Sequence, residues 1–380
     1  MASHDSISIE TVSTPSQRRD FFSVRRSIYK NDPAVVHPLA SMERMLLDTS
    51  KHPFYKHASR EIFVCYKNGN PVGRIAAIED RMHNQQHGDR VGFFGFFEAI
   101  DDQKVIDMLL DAARQWLAAR GCDAMRGPVN PSMKGEFGVL VEGHQYPATV
   151  MMGHSPLRYQ RHLLDNGFES VREFYALRFR AQDSGHSADR WSHLRAARTK
   201  IEARYPQLQL RTVSPDNYEQ TFRDINELGN VVRSEGWGFV PLTEDELSFM
   251  TNNLRRVIRF DMVHVAYWED HLVGYIVNIP DVNWALKRAR SKWDWLRMIQ
   301  LIFLMRRVSK TRVIALGVDQ AYRKKGIAML LISKLVEAFD QYDEWEFSWV
   351  DSENMKSLRA IDRSVPLVKY KTYRLYQKSI

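Results

Sequence analysis

Apolar positions change their spacing partway along the second half of this chain, and the change predicts a strand followed by a helix. A short apolar, β-branched run begins at Val313 and ends at Val318, as is typical of a buried strand. From Ala328 onward the apolar residues recur at helical spacing, at Leu330, Leu331, Leu335 and Phe339. Residues 311–339 are therefore predicted to form a strand, a tight turn and an amphipathic helix, around which the rest of the chain is organised.

The turn between these elements is basic and contains one glycine, in the order Arg323-Lys324-Lys325-Gly326-Ile327-Ala328. A helix N-terminus presents N–H groups without intrahelical acceptors, together with the positive end of the helix dipole, so it is suited to bind phosphate. Gly326 lets the backbone approach a ligand closely, and the three cations add charge complementarity. A basic surface turn without a ligand is the alternative interpretation.

The first half of the chain reads as a similar series of strands and helices. An Asn68-Gly69 pair between two apolar runs predicts a hairpin turn. The predicted elements around it are a strand at 6–12, a helix from Pro15, a strand at 91–100, a helix at 105–119, a strand near Ala124 and a helix at 157–165.

The two halves are related by an internal repeat. Residues 265–267 and 273–276 match residues 64–66 and 72–75 at an offset of about 201 positions, and Met329-Leu330-Leu331 matches Met108-Leu109-Leu110 at about 221. Two copies of one α/β domain are therefore predicted, with a linker near Ala181 to Ala188. In this alignment Asp102, Gln103, Lys104, Val105 and Asp107 stand opposite Arg323, Lys324, Lys325, Gly326 and Ala328. Carboxylates repel phosphate, so the first copy is expected to have lost its site.

The jump in offset predicts an insertion of about 20 residues in the second copy, between Ile279 and Thr311. It carries tryptophans (Trp284, Trp293 and Trp295), an apolar run and flanking Lys and Arg residues. This composition is typical of a helix that lies in the membrane interface. The alternative is a helix packed on the other lobe or on a second subunit, with its charges extended outward.

Composition narrows the function classes only slightly. The 380 residues suggest two globular domains, and the two cysteines, Cys65 and Cys122, imply no disulfide framework and fit a reducing cytoplasm. No signal peptide and no apolar run of spanning length is expected. The net charge of +8 suggests an acidic partner, which is a nucleotide, an anionic lipid or nucleic acid. No metal-ligand spacing or nucleophile motif stands out.

Two loops carry further candidate chemistry. Glu136, Glu142 and His144 follow a loop rich in Gly, Pro and Asn, and they could orient or deprotonate an amine, or simply cap the loop. Residues 233–239 place two glycines around a tryptophan, which suits either a ligand-covering loop or a helix C-cap with a packed Trp.

The strand, basic loop and helix resemble the coenzyme A site of the GNAT N-acyltransferase superfamily, whose signature Q/R-x-x-G-x-G/A is met by Arg323 to Ala328. Residues 349–354 share the likeness. Within the superfamily the chain resembles the two-lobed group that includes bacterial ceramide synthases, through residues 127–132 and 369–374. The resemblance implies an α/β (α+β) fold of two tandem GNAT-like domains, each a mixed, mostly antiparallel sheet flanked by helices. The expected bounds are 1–180 for a degenerate lobe, 181–207 for a linker and helix, and 208–380 for the acyl-CoA lobe, with the insertion at about 282–310.

The resemblance also implies residue roles. Coenzyme A would be held by Leu316, Val318, Arg323, Lys324, Lys325, Gly326, Ile327, Ala328 and Asn354. A neutral amine would attack the thioester directly, with Asp319 and Glu235 as candidate proton acceptors. The helix that usually carries a general-acid Tyr has none here, and the nearest substitutes are Tyr322, Tyr370 and Tyr373, of which Tyr373 is the predicted acid. No metal is implied.

The predicted function is transfer of an acyl group from acyl-CoA, a co-substrate rather than a resident cofactor, to the amine of a sphingoid-type lipid. The expected location is cytoplasmic, with peripheral contact to the inner, anionic face of the membrane through residues 284–310. One alternative is an acetyltransferase for a small amine or peptide. Another is a non-catalytic protein that binds coenzyme A or nucleic acid, although no nucleic-acid motif is present and nucleic acid is not an expected partner.

Overall fold

The structure of the protein, a computed structural model, describes residues 5–180, 182, 191–291, 293–338, 341–354 and 365–380. The chain forms two compact units. Unit 1 contains Met1–Glu173, Lys292–Asp294 and Lys371–Ile380, and unit 2 contains Phe174–Ser291 and Trp295–Tyr370. The predicted linker at 181–188 lies, apart from residue 182, outside the described residues. Residues 371–380, which the sequence assigned to the second lobe, belong to unit 1, because strand pairing joins residues that are far apart in the chain.

Unit 1 is built on one sheet whose neighbouring strands are antiparallel, except for one parallel pair, β4 with β5. The order is β1 (Ile7–Thr11), β2 (Ala58–Lys67), β3 (Asn70–Asp80), β4 (Val91–Ala99), β5 (Ala124–Gly127) and the part of β15 (Val368–Ser379) that begins at Lys371. Strand β8 (Val139–Glu142) also pairs with β15, and β6 (Val129–Asn130) pairs with β7 (Glu136–Phe137).

The described residues of unit 1 form five α-helices: α1 (Pro15–Ile28), α2 (Ala40–Leu46), α3 (Arg81–His87), α4 (Gln103–Ala118) and α5 (Arg158–Asp165). Thr14 and Gln17 form a capping box that starts α1, and Asp102 caps α4 by accepting from the Lys104 N–H. Helix α4 packs closely on the sheet, since a β-carbon on Gly73 would lie 2.6 Å from Cδ1 of Leu109.

Unit 2 repeats this plan. Its strands run in the order β10 (Leu208–Thr212), β11 (Val263–Trp268), β12 (His271–Pro280), β13 (Lys310–Val318), β14 (Glu344–Asp351) and β9 (Glu169–Arg180), the last from Phe174 onward. All neighbours are antiparallel except β13 and β14, which are parallel. The helices are α6 (Ser192–Arg204), α7 (Tyr218–Arg233), α8 (Glu244–Leu254), α9 (Val282–Arg288), α10 (Asp294–Met305) and α11 (Ile327–Val336).

Two adjacent residues of β12 contact helices that lie on opposite faces of this sheet. A β-carbon on Gly274 would lie 2.8 Å from Ile327 of α11. The side chain of the next residue, Tyr275, contacts Gly229 of α7, whose β-carbon would lie 3.1 Å from the Tyr275 hydroxyl. Successive side chains of a strand point to opposite faces, so α11 and α7 cover the two sides of the sheet.

The predicted tandem repeat is confirmed, but the register of its helices differs by one residue from the prediction. Val105 packs on Gly73 as Ile327 packs on Gly274, with β-carbon distances of 3.1 and 2.8 Å. Lys104, and not Val105, therefore stands at the place of Gly326. The prediction slipped because the connection from strand to helix is shorter in unit 1, and sequence matching alone did not detect the difference.

The insertion is helix α10. In unit 1 Asp80 caps α3 directly after β3, and in unit 2 Asp281 caps α9 directly after β12, so these two helices are equivalent. Helix α10 then follows before β13 without a counterpart between α3 and β4. Among the described residues, no helix is both long and apolar enough to cross a bilayer.

Candidate functional site

The parallel strands β13 and β14 of unit 2 are paired only over their first halves. Their ladder ends where Val313 faces Phe347, whereas β13 remains paired with β12 as far as Val318. The ladder of β14 with β9 also shifts register between Phe347 and Val350. In the part of the chain that the structure describes, the β14 side of β13 therefore has no strand partner between residues 314 and 318.

The direction of the backbone groups along this edge follows from one hydrogen bond. The Asp319 N–H donates to the carbonyl oxygen of Val273 on β12, at 2.9 Å. Backbone groups of successive strand residues point to alternate edges, so Gly317 also faces β12. Leu316 and Val318 therefore direct their N–H and C=O groups toward the open edge. These are the two strand residues that the sequence assigned to coenzyme A.

A buried polar cluster joins β13 and β14 where their pairing ends. The Arg312 guanidinium donates from Nε to the Ser348 hydroxyl at 2.8 Å and from Nη2 to the Ser348 carbonyl at 3.1 Å. The Ser348 hydroxyl donates to Glu346 at 2.5 Å, and the Tyr370 hydroxyl donates to the other oxygen of that carboxylate. Arg312 and Glu346 are almost completely buried, and Nε of Arg312 lies 3.8 Å from Oε1 of Glu346. The cluster fixes the two strands together just before they diverge.

The basic loop follows the open edge directly. Asp319 accepts a hydrogen bond from the Ala321 N–H at 2.8 Å and so starts a 3₁₀ turn, Gln320–Tyr322. The backbone is left-handed at Lys324 (φ 73°) and at Gly326 (φ 84°). Gly326 is the N-cap of α11 and offers no side-chain acceptor to the first helical turn, so the N–H groups there remain available to an anion.

The three cations of this loop are not equivalent. Arg323 and Lys324 are exposed, whereas Lys325 is half-buried. The Lys325 Nζ lies 4.8 Å from the ring centre of Trp268 and 5.3 Å from that of Tyr205. Arg323 and Lys324 are therefore the cations best placed to meet a phosphate, while Lys325 holds the loop on aromatic rings.

The loop after α7 lies beside the outer half of β14. The Trp237 ring centre is 6.3 Å from that of Phe174, which is itself 6.3 Å from that of Trp349 on β14. Glu235, two residues before Trp237, is exposed. The segment is thus a helix end with a packed tryptophan, the second of the two interpretations of its sequence, and it carries one of the candidate proton acceptors.

The remaining predicted residues fall in different places. Asn354 is exposed just after β14, where its N–H donates to the Asp351 carbonyl at 3.0 Å. Residues 355–364, where the helix that usually carries the general-acid Tyr is expected, lie outside the described residues. Tyr373 belongs to unit 1, where it is fully buried and its hydroxyl donates to the Gly153 carbonyl at 3.1 Å. Its predicted role stays a prediction, and unit 2 holds Tyr370 instead.

In unit 1 the equivalent strand edge is occupied by the protein itself. The β4–β5 ladder ends where Phe93 faces Arg126, so β4 has the same kind of open edge. The Ala99 N–H donates to the Tyr159 hydroxyl at 2.8 Å, and the Arg158 guanidinium donates to the Ala99 carbonyl at 3.0 Å. Ala99 pairs with Gly73 as Val318 pairs with Gly274, so its backbone groups stand at the place of those of Val318.

Asn130 occupies the same edge, since the Phe96 N–H donates to its side-chain oxygen at 2.7 Å. These contacts support the expectation that the first copy does not hold coenzyme A. Sequence reasoning missed Tyr159 and Asn130 because no local pattern indicates which distant strand a side chain will meet.

Known proteins resemble the chain in sequence and in fold. Residues 230–363 match the acetyltransferase (GNAT) family. A protein of Caulobacter vibrioides named bacterial ceramide synthase is 28% identical over 98% of both chains. Protein YghO of Escherichia coli is 28% identical over 98% of this chain and 95% of its own.

Solved structures show the same fold. A GCN5-related N-acetyltransferase from Sphaerobacter thermophilus is 15% identical, with a TM-score of 0.51 over 98% of this chain and 95% of its own. A tandem GNAT protein from the clavulanic acid biosynthesis pathway is 9% identical, with a TM-score of 0.55 over 98% of both chains. Residues 230–363, which contain the diverging strands and the glycine-capped helix, are therefore similar to the acetyltransferase (GNAT) family.

Proposed function

We propose that the protein is an acyl-CoA-dependent N-acyltransferase that acylates the amine of a long-chain, sphingoid-type lipid. The observation that carries this proposal is the continuity of two features in unit 2. The open edge of β13 at Leu316 and Val318 runs directly into a basic loop and a helix capped by Gly326. The pantetheine arm of coenzyme A needs backbone partners, which the open edge of β13 offers. The diphosphate needs N–H groups and cations, which the basic loop that follows this edge offers.

The donor would be bound by the loop and the strand together. The N–H groups of residues 324–328 would surround the diphosphate, with Arg323 and Lys324 supplying positive charge. The pantetheine amides would pair with Leu316 and Val318 as a short additional strand, with Asn354 beside the arm. Backbone N–H groups on this edge would also polarise the thioester carbonyl.

The reaction would be direct attack of a neutral amine on the thioester carbon. A C–N bond forms, the C–S bond breaks, and coenzyme A leaves as the thiolate. The amine must first lose a proton, and Asp319 at the end of β13 and Glu235 after α7 are the proposed acceptors. The thiolate must gain a proton. Tyr373 donates to the Gly153 carbonyl in unit 1 and Tyr370 donates to Glu346 in unit 2, and we propose Tyr370 as the donor because it belongs to the unit that carries the open strand edge.

Helix α10 supports a lipid acceptor. Apolar side chains around it are between 43% and 67% exposed, and they are Trp293, Trp295, Met298, Ile299, Ile302 and Phe303. Arg297 and Leu301 lie on the opposite, buried side. Exposed cations flank the helix, and they are Lys287, Arg288, Arg290, Arg306 and Arg307. An apolar face with a basic rim suits the surface of an anionic bilayer, from which a lipid substrate would be taken.

The sphingoid character of the acceptor rests on resemblance as well. The Caulobacter relative is named bacterial ceramide synthase, and its similarity extends over nearly the whole of both chains. The exposed face of α10 fits the same conclusion, because an enzyme for small, soluble amines has no need of a lipid-binding surface.

The proposal is tested by release of free coenzyme A thiol. Purified full-length protein is given acetyl-CoA or palmitoyl-CoA, each with and without sphinganine in detergent micelles. Release is expected only with palmitoyl-CoA and sphinganine together, and the Gly326→Glu variant should abolish it, because a carboxylate would stand at the phosphate site. Release with acetyl-CoA and simple amines would overturn the lipid assignment. No release and no coenzyme A binding would overturn acyl transfer.

A further inference from the structure

Unit 1 encloses a polar cavity that acyl transfer in unit 2 does not use. Its volume is about 40 Å³, and its lining includes Arg25, Tyr29, Glu98, Glu136, His154 and Tyr159. One water molecule needs about 10–15 Å³, so the cavity has room for a head group of a few heavy atoms.

Next to this cavity, the positive charges of two guanidinium groups are matched by the negative charges of two carboxylates. Arg74 is fully buried and donates to Glu98 at 2.5 Å and to Glu43 at 2.6 Å. Arg25 lies 4.0 Å from each of the same carboxylates. These four groups form a neutral, buried network in which each carboxylate faces both guanidinium groups.

Glu136 is a third carboxylate at this cavity, and it is not part of the network of Arg25, Arg74, Glu43 and Glu98. The pairing of β7 with β6 holds it opposite Asn130 at the cavity wall. No ion pair joins Glu136 to a cation in the described part of unit 1. Burial raises the pKa of Glu136, and Arg25 only partly opposes this effect. Glu136 is half-buried, and a carboxylate that has lost much of its water without gaining a matched cation is destabilised, an effect that a bound cation would reduce.

A buried guanidinium N–H, a buried imidazole nitrogen and several aromatic rings accompany Glu136. The Nε of Arg25 and the Nδ1 of His154 are buried and have no hydrogen-bond partner among the described residues. The other ring nitrogen of His154 is bonded to Asp32 at 2.9 Å, which fixes the ring. The rings of Tyr29, Phe97 and Tyr159 line the same cavity. Aromatic rings next to a carboxylate favour an ammonium group, and an unpaired guanidinium N–H favours an oxygen beside it.

We propose that this cavity of unit 1 binds a primary ammonium group carried next to a hydroxyl, with the Glu136 carboxylate as its counter-ion and Arg25 Nε as a donor to the hydroxyl oxygen. The site belongs to unit 1 alone and stands whether or not unit 2 transfers acyl groups. The first copy of the repeat would therefore bind a ligand of its own, although the edge of its strand β4 is occupied by side chains of the protein.

Saturation-transfer difference NMR on the full-length protein tests the proposal, with ethanolamine as the probe. Ethanolamine is expected to bind, whereas ethylene glycol lacks the charge and tetramethylammonium is too large. Glu136→Gln should weaken ethanolamine binding at least tenfold. Glu169→Gln, which removes an exposed carboxylate of the same unit, should leave it unchanged.

Two results would overturn the proposal: equal binding of ethylene glycol and ethanolamine to the unaltered protein, or full binding of ethanolamine to Glu136→Gln. The first comparison needs no variant. Glu136→Gln is also expected to fold, because it removes a half-buried charge that has no matched cation.

Discussion

A β-carbon on Gly326 would lie 2.6 Å from Cδ1 of Ile201, so helix α6 packs directly against the loop that begins α11. The backbone at Gly326 is also left-handed, with φ 84°. Close packing and backbone conformation therefore both require glycine at this position. The packing of α6 holds the loop in the shape that presents its N–H groups.

We expect Gly326→Ala to lower kcat/KM for acyl-CoA at least about tenfold, because the clash would move the loop and its N–H groups. Steady-state thiol release measures the change. Gly69→Ala is the matched control: its φ is 76°, but a β-carbon there meets nothing within 4 Å. Both variants should lose about 1 kcal/mol of stability from backbone strain. Equal kinetic loss in the two would show that the Gly326 effect is only a stability effect.

The three loop cations should respond differently to substitution. Arg323→Ala and Lys324→Ala are each expected to raise KM for acyl-CoA about fivefold, roughly 1 kcal/mol, because each removes an exposed cation next to the diphosphate site. Lys325→Ala should instead lower the thermal midpoint, since it removes the contacts with Trp268 and Tyr205. Lys51→Ala, an exposed cation of unit 1, controls for net charge. Identical KM values in all four variants would contradict the phosphate assignment.

The cluster between β13 and β14 should be sensitive to loss of one partner. Glu346→Gln leaves the buried Arg312 guanidinium without its counter-charge, which typically costs roughly 3–5 kcal/mol. Urea unfolding followed by tryptophan fluorescence measures the loss, with the exposed Glu227→Gln as control. A loss below about 1 kcal/mol would mean that Ser348 and the backbone satisfy Arg312 unaided.

The exposed face of α10 should direct membrane binding. Replacing Trp295, Ile302 and Phe303 together by Ser is expected to weaken binding to vesicles of anionic phosphatidylglycerol roughly tenfold or more, because the apolar area available for insertion is lost. Flotation assays measure the bound fraction. Leu157→Ser with Leu164→Ser is the matched control, as both residues are apolar and exposed, Leu157 at the N-cap of α5 and Leu164 within that helix. Unchanged binding by the α10 variant would assign that face to another partner.

Buried histidines should make the stability pH-dependent. Burial lowers the pKa of His264 to about 4, from an ordinary value of about 6.5. The unfolded chain therefore takes up the proton first as the pH falls. The stability associated with neutral His264 is complete above pH 6.5 and is lost as the pH falls toward 4, by up to about 3 kcal/mol. The difference in unfolding free energy between the protein and His264→Asn, measured by urea at several pH values, should shrink over that range. A constant difference would contradict the shift.

Local patterns identified much of unit 2 and the first hairpin turn of unit 1, because strand and helix periods and turn sequences are properties of consecutive residues. The run from Val313 to Val318, the helix after Gly326 and the Asn68-Gly69 turn all follow from short stretches of sequence. The end of the β13–β14 ladder does not, since it depends on how Val313 and Phe347 meet across more than thirty residues. The aromatic partners of Lys325 lie still farther away along the chain.

Long-range pairing also explains what the sequence could not predict in unit 1. Tyr159 sits on a helix whose own pattern gives no sign that its hydroxyl meets the backbone of Ala99. The uncompensated charge of Glu136 becomes apparent only when Arg25, Arg74 and their carboxylate partners are seen together.

Strand β15 has a consequence for how the chain is made. Its residues 371–380 pair with β5 and β8 of unit 1, although most of that unit precedes residue 174. During synthesis the first copy of the repeat therefore leaves the ribosome early with an unfilled place in its sheet. The half of the protein that is translated first can be completed only after residues 371–380 have emerged.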